Sequence, residues 1–149
     1  MAKELSGVAQ ALLNALQSPL NQHAIHDGNV IMRVPASAPE VGDIVVYDDG
    51  DELTVAVGQI DHCHFEVYCV DAPTEKERQS IAAENAVQWV TDVLNEHVRF
   101  RNEFHRGRSV AGSSWRTAHH DGGRVLEATD EWKEYTWSGL VLHKTRPAG

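Results

Sequence analysis

The first apolar pattern in the chain has helical spacing. Leu5, Val8, Ala9, Leu12, Leu13 and Leu16 recur at i, i+3, i+4 and i+7, with Lys3, Gln10, Asn14 and Gln17 opposite them. This predicts an amphipathic helix over 3–18, closed by Pro19. A loop through Asn21, His23 and Asp27-Gly28 leads to a short apolar run, Val30–Val34, set off by Pro35 and Pro39. Beyond it the period changes to two. Ile44–Tyr47 predicts a strand, and Asp49-Gly50 between apolar runs is a hairpin signal. Leu53, Val55 and Val57 alternate with Glu52, Thr54 and Ala56, and Gly58–Asp61 makes a second turn. Cys63–Val70 then alternates again, with Cys63, Phe65, Val67 and Cys69 on one face and His64, Glu66 and Tyr68 on the other. These runs predict an antiparallel meander.

A second helix opens after Pro73, where Thr74 and Glu77 have capping-box spacing and Glu75 adds negative charge to the first turn. Its apolar stripe is Ala82, Ala86, Trp89, Val90, Val93, Leu94 and Val98, and it is expected to end in the arginine-rich run Arg99–Arg108, with Gly107 as breaker. The last third reads as β. Ser113–Ala118 and Arg124–Leu126 flank His119-His120-Asp121-Gly122-Gly123, a hairpin connection by composition. Lys133–Trp137 alternates and Leu140–Leu142 continues it, while a polar tail over 144–149 is expected to fray. Segregated helices and strands of this kind point to an α+β fold: an antiparallel sheet, meander plus C-terminal hairpin strands, packed against two amphipathic helices. At 149 residues the expectation is a single α+β domain over 1–149.

Composition adds a boundary and an asymmetry. With 42% apolar residues and four Trp, the chain can bury a core without metal or disulfide. No apolar run is long enough to span a membrane. Glu4 directly after Lys3, and the polar breaks at Gln10, Asn14 and Gln17, read against a signal peptide, so the expected compartment is the cytoplasm. The net charge is −9. Ten carboxylates and no Lys or Arg lie between Arg33 and Lys76, whereas six arginines from Arg99 to Arg124 face only Glu103 and Asp121. An acidic surface favours a basic partner and argues against general nucleic-acid binding, because it repels a phosphate backbone.

The cysteines and histidines carry the candidate chemistry. On one strand Cys63 and Cys69 would stand about 20 Å apart, too far for a disulfide, which needs Cα atoms within about 7 Å. Free thiols suit a reducing compartment, and their expected role is core packing beside Phe65 and Val67. His62 and His64 share a strand face with Glu66, and His119, His120 and Asp121 form a second cluster. Two histidines and a carboxylate are the ligand types of an open zinc or iron site. No phosphate-cradling glycine loop and no G-x-S-x-G nucleophile elbow occurs, and Asp48-Asp49-Gly50-Asp51-Glu52 lacks the spacing of a calcium loop. The run Arg99, Arg101, Arg106 and Arg108 interleaves arginine with Phe100 and Phe104, as in RNA contacts, though a cationic helix C-terminus accounts for it more simply. The same patch can meet the acidic 40–52 region, within one chain or across a homo-oligomer.

The reading is a small, acidic, non-enzymatic binding protein of a bacterial-type cytoplasm. Its carboxylate-rich sheet surface would hold a basic protein partner, an immunity- or chaperone-like role by class analogy. The expected contact residues are Asp48, Asp49, Asp51 and Glu52, with Tyr47 as aromatic anchor. The alternative is a metal-dependent enzyme with its His-x-His site on a strand.

Overall fold

The computed structural model describes residues 4–147. Two antiparallel sheets, of five and four strands, and two helices make the fold α+β, as the segregated patterns predict. The chain forms two compact units that interleave along the sequence. The first takes residues up to Pro35, Asp43–Val57 and His62–Thr91; the second takes Ala36–Gly42, Gly58–Asp61 and the chain from Asp92 onward.

The five-stranded sheet is a meander, with β1 (Ala24–Asp27), β2 (Val30–Val34), β3 (Ile44–Asp48), β4 (Glu52–Val57) and β5 (Asp61–Glu66) neighbouring in chain order. Ile44 pairs Val57 and Val46 pairs Val55. With Leu53 these side chains are at most 1% exposed, so the period of two in the sequence is the period of burial. Strand β1 occupies a stretch expected as loop. All four of its residues are exposed, so it has no apolar alternation to reveal it, and a short 3-10 turn at Leu20–His23 precedes it.

Helix α1 runs over Gly7–Ala15, shorter than 3–18, because Ser6 is an N-cap whose Oγ accepts the Ala9 N–H. Val8, Ala9 and Leu12 are its buried face; Lys3 lies outside the described residues. Helix α2 spans Glu75–Leu94, and Thr74 Oγ1 accepts the Glu77 N–H at 3.1 Å, one half of the expected capping box. Ala82, Ala83, Ala86, Trp89, Val90 and Val93 are buried along it.

Two further expectations need correction. Strand β5 stops at Glu66, and Val67–Cys69 is a 3-10 turn whose Val67 N–H donates to the Asp51 carbonyl. Cys69 therefore leaves the sheet and is exposed rather than core-packed, whereas Cys63 is half-buried. The arginine run is no helix end. Glu96 takes a positive φ of 62° just past α2, and Val98–His105 is strand β6. Val98 continues the stripe of α2 by spacing, and its burial together with Phe100, two residues on, is the period of a strand.

The second unit's sheet has the order β7-β6-β8-β9, with β7 Arg108–Arg116, β8 Glu131–Thr136 and β9 Gly139–Thr145. Arg106 (φ 49°) and Gly107 (φ 78°) turn the β6–β7 hairpin, a tight connection that needs positive φ at both positions. The expected hairpin around Gly122-Gly123 and strand at Arg124–Leu126 are absent; 117–130 is one long loop. The tail is not frayed from 144. Lys144 pairs Trp132, Thr145 pairs Glu131, and Arg146 is fixed by several hydrogen bonds; residues 148 and 149 lie outside the described chain.

Candidate functional site

At the tip of the β3–β4 hairpin the expected contact residues separate. Asp48 is 3% exposed. Its Oδ2 accepts the Ser6 N–H at 2.9 Å and its Oδ1 accepts the Gly50 N–H at 3.0 Å, so it ties the start of α1 to the hairpin and is no contact residue. Asp49 and Asp51 are exposed, and Tyr47 and Glu52 are half-buried. Thr54 gives its only proton to Asp49 Oδ2, so its 3.1 Å contact with His64 Nδ1 is a bond that the imidazole donates. His64 Nδ1 also stands 3.5 Å from Glu52 Oε1.

Next to this group the 3-10 turn adds Tyr68, 70% exposed, and Cys69. The Cys69 thiol donates to Glu66 Oε2 at 2.8 Å and the Tyr68 hydroxyl also hydrogen-bonds Glu66. Both bonds favour the carboxylate and hold Glu66 below its ordinary pKa. They raise the pKa of the Cys69 thiol and the Tyr68 phenol, each chiefly through its bond to Glu66.

The histidines are distributed between the units. His62 and His64 do share a face of β5, with ring centroids 5.1 Å apart in an edge-on arrangement. His119, His120 and Asp121 lie in the 117–130 loop. There His120 Nδ1 accepts the Gly122 N–H and Asp121 Oδ1 accepts the Gly123 N–H, which lowers the Asp121 pKa and makes both side chains parts of a turn. Among the described residues no group of three or more His, Cys, Asp or Glu could hold a metal ion, so the zinc or iron of the alternative, metal-enzyme reading finds no ligand set there.

One face of the four-stranded sheet is built from charges. The register sets Arg101 beside Glu134, and Glu103 beside Trp132. Arg101 Nε donates to Glu134 Oε2 at 3.0 Å and its Nη1 donates to the carbonyls of Gly122 and Gly123. Its guanidinium stacks 4.9 Å from the Trp115 ring centre. Gly122 has to be glycine, because a Cβ there would come within 2.6 Å of that ring and the backbone has φ +91°. Arg99 Nε lies 3.1 Å from Glu134 Oε1 but outside hydrogen-bonding geometry, so that buried N–H is satisfied by charge alone. Glu103 Oε1 accepts from the Leu126 N–H and the Thr129 hydroxyl. Arg146 Nε donates to Thr129 O at 2.6 Å, and its Nη2 donates to the carbonyls of Leu126 and Glu127. These side chains hold the 117–130 loop on the sheet. Arg99, Arg101, Arg106 and Arg108 are therefore not one nucleic-acid surface: Arg101 is buried and paired, Arg99 is half-buried, and only the hairpin pair Arg106 and Arg108 is exposed.

Between the loop and this face is a cleft of about 390 Å³, lined by Arg101, Arg124, Lys144 and Arg146 with Trp132 and Glu134. Glu134 and Arg146 carry no signal in the sequence pattern. The charge alternation of Arg99, Arg101 and Glu103 against Val98 and Phe100 is the one signal that marks a strand with a polar inner face. Tyr68 is marked only by its place on the His64 and Glu66 face, and its exposure comes from the turn that ends β5. No helix among the described residues is long and apolar enough to cross a membrane. No protein-family model, no curated protein and no solved structure matches the chain.

Proposed function

We propose that this chain is a non-enzymatic binding protein that holds a basic segment of a partner protein against Asp49, Asp51, Glu52 and Glu66, in the reducing cytoplasm that its two free cysteines suit. An immunity- or chaperone-like role is the class of function such a surface serves. The observation that carries the reading is Tyr68. It is 70% exposed beside this carboxylate group, and the stretch of chain between Arg33 and Lys76 contains no Lys or Arg. An exposed aromatic supplies apolar contact area at low entropic cost, and carboxylates around it select cationic side chains and speed encounter. Tyr68 thus takes the anchor role expected of the half-buried Tyr47, and Asp48 drops out of the contact set.

A fluorescent Lys/Arg-rich peptide, titrated at low and at high salt, tests this. Asp49→Lys/Asp51→Lys should weaken binding at least about tenfold and flatten its salt dependence, and Tyr68→Ala should weaken it at both salt levels. A control with the same charge change at the exposed Asp27 and Glu84 separates a local site from the general pull of a net charge of −9. Equal losses in the control and the hairpin variant would sink the proposal.

A further inference from the structure

We infer that the cleft under the 117–130 loop binds a small phosphorylated molecule, of mononucleotide size or less. The balance of charge is the first argument. Four cations, Arg101, Arg124, Lys144 and Arg146, line the cleft against a single carboxylate, Glu134. That carboxylate is already shared between Arg99 and Arg101, so it neutralises one of two guanidinium groups. Among the described residues the Arg146 guanidinium meets backbone carbonyls and the Trp132 ring, 5.6 Å from its guanidinium carbon, and no carboxylate. The side chains of Arg124 and Lys144 have no hydrogen-bond or ion-pair partner among the described residues. Arg101 is committed to Glu134 and the loop carbonyls, while Arg124, Lys144 and the guanidinium charge of Arg146 have no carboxylate of their own among the described residues, within a chain of net charge −9.

Shape and rigidity are the second argument. A volume of about 390 Å³ falls in the range that accepts a small organic ligand, and Trp132, Leu142 and Val125 supply apolar walls. The cleft is formed in advance. Arg101, Glu103 and Arg146 hydrogen-bond the loop at Gly122, Gly123, Leu126, Glu127 and Thr129, so a ligand would not have to order it. Guanidinium forks match the oxygens of a phosphate, and a lysine ammonium adds a point charge. A continuous polynucleotide is the poorer fit, because beyond the cleft its backbone would meet a predominantly acidic chain.

Isothermal titration with inorganic pyrophosphate and with adenosine 5′-monophosphate tests the inference on the full chain, with adenosine as the uncharged comparison. Both anions should bind saturably at one site at low salt, and adenosine should not. Arg124→Glu/Lys144→Glu should weaken both at least about tenfold. Both side chains are exposed and without a partner among the described residues, so that variant should keep the wild-type melting temperature; Arg124→Ala/Lys144→Ala, expected to weaken binding less, provides a second variant without charge reversal. Undiminished binding in the folded charge-reversed variant would overturn the inference, as would no saturable binding of either anion at millimolar concentration. A single-stranded RNA that bound where neither small anion did would also overturn it, in favour of a nucleic-acid surface.

Discussion

The β3–β4 hairpin of the first unit and the charged face of the second unit's sheet draw on the same residue types and treat them oppositely. Around the hairpin the inward positions other than Asp48 are apolar, and Asp49 and Asp51 stay in water. On β6 and β8, Arg101, Glu103 and Glu134 are 5%, 5% and 6% exposed, and each is bound to a partner. A charge removed from water loses several kcal/mol of solvation and keeps its place only if fixed partners replace that water. A charge left in water has made no such commitment and is free to exchange hydration for a ligand. Desolvation, more than the number of charges, therefore separates the parts of this protein that hold it together from those available for binding. Asp48 and Asp49, adjacent in the chain, fall on opposite sides of that division.

Removing a committed charge should have the largest effect. Glu134→Ala leaves Arg99 and Arg101 without a shared carboxylate and should cost about 3–5 kcal/mol in urea unfolding. A loss below about 1 kcal/mol would mean the buried guanidinium groups hydrate readily, and the contrast between the two regions would lapse. The neighbouring aspartates sharpen the contrast. Asp48→Ala strips acceptors from the Ser6 and Gly50 N–H groups and should cost about 2 kcal/mol, while Asp49→Ala should stay within about 0.5 kcal/mol. Equal melting temperatures for the two variants would erase the distinction.

The smallest effect concerns pH. Glu96 accepts the Ser138 N–H at 2.8 Å and the Thr136 hydroxyl at 3.0 Å, and also bonds the Ser138 hydroxyl. The Ser138 bonds, its side chain first, hold the Glu96 pKa below the ordinary value of 4.5. A carboxylate whose pKa is lower folded than unfolded contributes stability fully above the unfolded value, and that contribution disappears as pH falls through the folded one. Wild type should therefore lose melting temperature more steeply than Glu96→Gln as pH drops below about 4.5. Parallel curves would show that the contact between Glu96 and the β8–β9 turn contributes nothing.

Legibility in the sequence followed the same division. Strands β2 to β4 and both helices were readable because one face of each is apolar and buried, so the burial pattern is written in the residue types. Strand β1, exposed throughout, and β6, with charges on its second buried face, were misread for the matching reason. The candidate contact surface was partly legible. Asp49, Asp51 and Glu52 were marked by their position at a hairpin, but the loss of Asp48 and the gain of Tyr68 depend on a helix cap and a turn that no local pattern announces.

By itself the sequence determined the α+β class, the antiparallel meander, the extent of strands β2 to β4 and the acidic balance of the chain. All of these follow from local periodicity, turn residues and composition. Only the tertiary structure decided which charges are spent. Arg101 with Glu134, Glu103 with Thr129, and Arg146 with the 117–130 loop are separated by many residues in the chain and meet through strand register. An ionised side chain has the same identity in water and in a buried pair, and what differs is the desolvation that the fold imposes on it.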